Sequence, residues 1–201
     1  MKRMILLSFL VLSFPFIGYA QDKVEAPIWN IGDKWIIGGV TAISVVNADE
    51  NSYTVKYLTP RDESIIIFEK SSLNRLYLMD GNTRIEYTTR NKRLFNFPLE
   101  VGKTWSDKYA AGGKDASQEY TETFTVLGWE DVVIKAGKFS AVKLEYKQTK
   151  TEEKAGQTPK EGKVWYWYSP DVKYMLKCQY DNTGYWPPSY DWELTSFELK
   201  P

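Results

Sequence analysis

The chain has 201 residues, a size that suits one domain with its own buried core. Its 26 basic and 26 acidic residues balance, so the surface lacks the positive field that a phosphate-binding protein or a polybasic membrane-surface protein needs. There is no histidine, which removes Ser-His-Asp and Cys-His triads and every histidine-ligated zinc, copper or iron site. A carboxylate-only enzyme and an oxygen-ligated calcium site survive that filter.

In chain order the first element is a leader. Lys2 and Arg3 form a short positive region, Ile5 to Ile17 an almost unbroken apolar run, and Gly18-Tyr19-Ala20 a small-residue cleavage site. This is the layout of a secretory signal peptide over 1–20, with the mature chain starting at Gln21. The apolar run is shorter than the about 20 residues of a membrane span and contains Pro15. No membrane span is expected after cleavage. Gln21 stands where a bacterial lipoprotein carries its lipidated cysteine. The expected location is therefore secreted or periplasmic, and residues 21–201 are expected to form a single domain.

Strand signals dominate the rest. Lys34 to Val46 reads as one long or bulged strand, with Gly38-Gly39 as a bend. Tyr53 to Leu58 alternates and ends before Pro60, and Ile65 to Phe68 is a short apolar run. Leu76 to Met79 leads into Asp80-Gly81-Asn82, a hairpin turn signal, and Arg84 to Thr88 returns. Further short strands are predicted over 120–127, 131–134, 139–146, 163–168, 174–180 and 191–199. Asp107 to Ser117 and Gln148 to Gly162 read as surface loops. No window keeps a helical period for more than two turns. About a dozen antiparallel strands indicate an all-β fold: a strongly curved sheet, a half-open barrel or a sandwich.

One pattern occurs twice. Ile31-Gly32-Asp33-Lys34-Trp35 is echoed by Val101-Gly102-Lys103-Thr104-Trp105. Each reads as a glycine turn followed by a tryptophan that plugs the core. Duplication and independent reuse of one turn both account for it.

Four short motifs carry a resemblance: Phe97 to Trp105, Ala136 to Lys143, Trp167-Tyr168-Ser169-Pro170-Asp171-Val172, and Glu193 to Phe197. Over roughly its C-terminal half, the chain resembles bacterial secreted and periplasmic β proteins of unknown function. The resemblance implies a curved antiparallel sheet and an envelope location. It brings no activity, cofactor or catalytic residue.

The densest chemical feature is aromatic. Trp165, Tyr166, Trp167 and Tyr168 share one strand, so the two tryptophans face one side and the two tyrosines the other. Tyr185-Trp186-Pro187-Pro188-Ser189-Tyr190 is a proline-stiffened loop presenting three rings. Trp165, Trp167, Tyr185, Trp186 and Tyr190 are the candidate ligand-binding residues. Core packing and cross-strand ring pairs account for the same residues. Asp191 and Glu193 form an i,i+2 carboxylate pair without a supporting constellation, so no catalytic residue, metal site or cofactor is expected. Cys178, the single cysteine, reads as a buried small hydrophobe. The expected function is that of a non-catalytic envelope protein. Its concave aromatic surface would take a small apolar ligand or a partner envelope protein. A carbohydrate-binding module on a glycan is the alternative, and a carboxylate hydrolase comes third.

Overall fold

The computed structural model describes residues 23–86, 94–111, 118–151, 160–181 and 191–201. The predicted leader and the Tyr185–Tyr190 loop lie outside the described residues. No helix occurs among those described.

The protein is all-β and single-domain. Fourteen strands are described: β1 (Lys23–Val24), β2 (Lys34–Ile37), β3 (Thr41–Ala48), β4 (Ser52–Leu58), β5 (Glu63–Glu69), β6 (Arg75–Asp80), β7 (Thr83–Glu86), β8 (Leu99–Glu100), β9 (Thr104–Ala111), β10 (Gln118–Ile134), β11 (Gly137–Thr151), β12 (Lys160–Ser169), β13 (Tyr174–Tyr180) and β14 (Trp192–Glu198). Twelve of them form one antiparallel sheet in the order β7-β6-β5-β4-β3-β2-β14-β13-β12-β11-β10-β9. β1 and β8 pair separately, with Val24 opposite Leu99, and both side chains are buried in the core.

The topology is two six-strand meanders, β2–β7 and β9–β14, placed head to tail. The last strand of the second pairs with the first strand of the first, through Phe197 opposite Trp35. β7 and β9 remain separate edges, so the sheet does not close into a barrel. It nevertheless curls. β4 and β13 are four strand steps apart, about 19 Å along a flat sheet, yet the hydroxyls of Tyr57 and Tyr174 lie 3.3 Å from each other.

Alternation sorts the faces. Ile43 and Val45 on β3, Tyr53 and Val55 on β4, Phe124 and Val126 on β10, and Leu144 and Tyr146 on β11 are buried. Their neighbours along the strand meet solvent to a greater degree. Asp80-Gly81-Asn82 makes the expected hairpin, with Asp80 opposite Thr83.

Three sequence expectations need correction. The stretches read as surface loops over 107–117 and 148–162 begin or end in strand: 107–111 belongs to β9, 148–151 to β11 and 160–162 to β12, because the ladders to β10 and between β11 and β12 run on and Tyr109 stacks on Tyr120. Lys34 to Val46 is not one bent strand. Gly38 and Gly39 both take positive φ, +59° and +74°, and reverse the chain into the β2–β3 hairpin. In the second half, the strands predicted separately over 120–127 and 131–134 are one, β10. It runs on because Gly128 absorbs a register shift opposite β11.

The repeated motif is a repeated structure. Gly32 N–H donates to the Val45 carbonyl at 2.8 Å, and Val45 N–H donates to the Asp33 carbonyl at 2.9 Å. In the second copy, Gly102 N–H donates to the Val126 carbonyl at 2.8 Å, and Val126 N–H donates to the Lys103 carbonyl at 2.9 Å. Gly32 and Gly102 have φ of +94° and +86°. Trp35 then faces Ile43, and Trp105 faces Phe124, each two residues before the bonded valine. Directly after each valine the strand slips register against its next neighbour.

Candidate functional site

The curl leaves a cavity of about 170 Å³ on the concave side. Its wall is mostly aromatic. Trp29, Tyr57, Phe68, Phe95, Tyr166, Tyr168, Tyr174 and Trp192 contribute rings, Leu73, Leu94 and Met175 fill between them, and Arg75 and Lys173 bring positive charge. Among the described residues, the lining contains no carboxylate, serine or cysteine.

The turn after β12 sets one side of it. Two buried indoles hold that turn, Trp29 Nε1 donating to the Lys173 carbonyl and Trp35 Nε1 to the Val172 carbonyl, both at 2.9 Å. Lys173 sits at φ +57°, a conformation that a non-glycine residue keeps only where its surroundings enforce it. The ring of Tyr174 then stacks on Trp35 with centroids 4.9 Å apart. The ammonium of Lys173 is 4.0 Å from Asp33, a fully buried carboxylate. That carboxylate accepts the backbone N–H groups of Asn30 and Lys200 at 2.9 and 2.7 Å. The chain end is thereby tied to the first repeated turn.

Tyr168 is held by edge contacts from Phe95 and Phe97, with centroids 5.4 and 5.8 Å away. Its residue is 1% exposed, and its buried hydroxyl has no hydrogen-bond partner. Burial pushes the phenols of Tyr166, Tyr168 and Tyr174 well above the ordinary tyrosine value, so all three are neutral donors. Aromatic faces, neutral phenolic donors and two cations suit a compact apolar body with a hydrogen-bond acceptor.

The strand that carries the aromatic run contributes its tyrosines to this cavity. Trp165 and Trp167 take the opposite face. The half-buried Trp165 donates from Nε1 to Glu145 at 3.3 Å. Trp167 is buried, donates to Glu130 at 2.7 Å, and has the ammonium groups of Lys143 and Lys177 at 4.9 and 4.0 Å from its ring centre. That indole hydrogen bond first, and Lys143 second, hold the Glu130 carboxyl below its ordinary value. The structure therefore does not bring Trp165 and Trp167 to the cavity, and Tyr185, Trp186 and Tyr190 lie outside the described residues.

Asp191 and Glu193 border a shallow cleft with Lys135 and Lys177. Asp191 accepts the Tyr180 N–H at 2.8 Å, and Glu193 faces Lys135 at 3.8 Å. Cys178 is buried, and burial followed by Asp191 pushes its thiol up to about 12.

The cavity draws on residues that the sequence reading did not select. Arg75 and Phe95 carried no local signal. Glu122 did, since it alternates with Phe124 and Val126. It is a buried carboxylate that accepts Tyr146 O–H at 2.7 Å and Gln148 Nε2 at 3.2 Å. Gln148 also donates to Tyr109 at 2.8 Å. This buried network lies on β9, β10 and β11, away from the cavity lining.

No family model and no curated protein matches the chain. Among solved structures, it is similar to the hypothetical lipoprotein YmcC from Escherichia coli K12 at 13% identity, covering 90% of this chain and 92% of that one, with a TM-score of 0.45. A lipoprotein candidate from Parabacteroides distasonis ATCC 8503 matches at 15% identity, with 89% and 100% covered and a TM-score of 0.46. An exported-protein candidate with a YmcC-like fold from Bacteroides fragilis NCTC 9343 matches at 12% identity, with 88% and 99% covered and a TM-score of 0.41.

Proposed function

We propose that this is a non-catalytic, exported cell-envelope protein that holds a small apolar or amphipathic ligand in the concave aromatic cavity. The observation that carries the reading is the cavity itself, about 170 Å³ walled mostly by aromatic rings, with Arg75, Lys173 and the tyrosines as its polar members among the described residues. Such a largely apolar concavity with a few polar groups is the usual form of a small-molecule site. Among the described residues, the cavity lining offers no nucleophile with a base and no pair of acids, which supports binding over turnover. Export rests on the order of charge, apolar run and small residues over 1–20.

Toluene is a direct probe, because a dry apolar cavity of about 150 Å³ accepts benzene. Titrated into the purified protein, it should shift the NMR resonances of the Trp29 and Trp192 side chains saturably. Met175→Trp, which fills the space from the wall, should abolish the shift while the protein stays folded. Toluene that moves no cavity resonance in the wild type sinks the reading, and the rings are then architecture.

A further inference from the structure

Most polar groups in the cavity wall are already taken. Trp29 Nε1 donates to the Lys173 carbonyl, and the hydroxyls of Tyr57 and Tyr174 lie 3.3 Å apart and satisfy each other. Arg75 is engaged within the protein. The Lys173 ammonium faces Asp33 at 4.0 Å, and the Tyr168 hydroxyl is sealed from water. Two donors remain. Tyr166 and Trp192 are partly exposed, and neither the Tyr166 hydroxyl nor the Trp192 indole N–H is hydrogen-bonded or sealed among the described residues. Trp192 also borders the shallow cleft beside Asp191, which leaves the Tyr166 hydroxyl as the donor most closely tied to this cavity. The hollow has a local cause. Tyr166, Cys178 and Trp192 stand opposite one another on β12, β13 and β14 and so share a face. The small, buried Cys178 between two large rings leaves room beside them. Both non-glycine residues with positive φ among those described, Leu73 at +54° and Lys173 at +57°, line the same cavity. Backbone held in that conformation clusters at ligand sites.

Resting on the binding reading above, we propose that the cavity is a site for an uncharged single-ring carbonyl compound, such as an aromatic ketone, whose oxygen accepts the Tyr166 O–H. About 170 Å³ is one aromatic ring with a small head group. It is below the roughly 300–1,000 Å³ of sites for larger ligands, so a long acyl chain does not fit. The aromatic wall provides stacking and edge contacts for the ring. A neutral head group follows from the charges. No carboxylate lines the cavity among the described residues, and both of its cations already have partners. A charged head group would lose its hydration there without gaining a free counter-ion. A carbonyl needs only one donor. Burial holds the Tyr166 phenol above its ordinary value, so that donor keeps its proton.

Acetophenone, isopropenylbenzene and benzoate separate the parts of this proposal. Isopropenylbenzene keeps the shape of acetophenone and replaces its carbonyl oxygen with a methylene group. Binding is read by calorimetry and by the Trp29 and Trp192 resonances. Tyr166→Phe should weaken acetophenone about fivefold, the worth of one hydrogen bond, and leave isopropenylbenzene within about twofold, the control that the cavity has kept its shape. A second readout needs no variant: the carbonyl stretch of isotope-labelled acetophenone bound to the wild type should fall below its value in a hydrocarbon solvent. Benzoate should bind at least about tenfold more weakly than acetophenone. Acetophenone unaffected by Tyr166→Phe, or a bound carbonyl stretch at its hydrocarbon value, overturns the carbonyl assignment, and isopropenylbenzene still bound leaves the binding reading intact. Benzoate as the tighter ligand overturns the uncharged head group. If acetophenone, isopropenylbenzene and toluene all leave the cavity resonances unmoved, the binding reading itself falls and takes this inference with it.

Discussion

Trp35 and Trp105 offer a controlled comparison, because the same local turn delivers both to the core. Trp35 is fully buried on β2 inside the sheet, stacks on Tyr174, and donates to the carbonyl of the fully buried Val172. Trp105 is 9% exposed on the edge strand β9 and stacks on Phe124 with centroids 5.4 Å apart. Truncating a large buried aromatic to alanine costs about 3–5 kcal/mol. Trp35→Ala belongs at the top of that range, because it also strands the Val172 carbonyl, a loss of about 1–3 kcal/mol in its own right. Against a total stability of roughly 5–15 kcal/mol, that variant leaves little margin. The phenylalanine variant is therefore the sharper test. Trp35→Phe keeps a ring against Tyr174 but cannot donate to Val172, so it should cost about 1–3 kcal/mol relative to the wild type. Urea unfolding followed by far-ultraviolet circular dichroism gives the value, provided the slope with denaturant is unchanged. If Trp35→Phe leaves the midpoint where it was, the assignment of the Val172 bond as structural is wrong.

Two further outcomes follow from the electrostatics. Glu130 has its folded value below 4.5, chiefly because of the Trp167 hydrogen bond; a depressed carboxyl contributes stability that is present above its unfolded value and lost as pH falls through the folded one. The advantage of the wild type over Glu130→Gln should thus be full near neutral pH and fade in acid, and a pH-independent difference in unfolding midpoints would falsify the assignment. The thiol of Cys178, pushed up to about 12 by burial and then by Asp191, should resist a thiol reagent at mildly alkaline pH and react only as fast as the protein unfolds. Rapid labelling of the folded protein would show that the residue is reachable.

Much of the architecture was legible in local patterns. Period-two alternation marked most of the strands, and Asp80-Gly81-Asn82 marked its hairpin, because the residues themselves set face and turn. The repeated glycine and tryptophan pointed to the two equivalent turns, whose glycines need positive φ and whose rings need a core. Gly38-Gly39 was ambiguous between a bend and a reversal, since glycine permits both. Nor could alternation pick the cavity-facing side of the 165–168 strand, where both parities are aromatic. That choice was made by the neighbours: Lys143, Lys177 and Glu130 claim Trp167 on one side, and the curl brings Phe95, Trp29 and Tyr57 to the tyrosine side. The pairing of β14 with β2 was equally invisible, because partners more than 150 residues apart leave no local trace. The amino-acid sequence by itself determined strands, turns and the exclusion of histidine chemistry, all of which depend on neighbouring residues or on composition. Only the tertiary structure decided where the cavity lies and which groups line it, because it is the curvature of the whole sheet that brings Arg75, Tyr168 and Lys173 around one space.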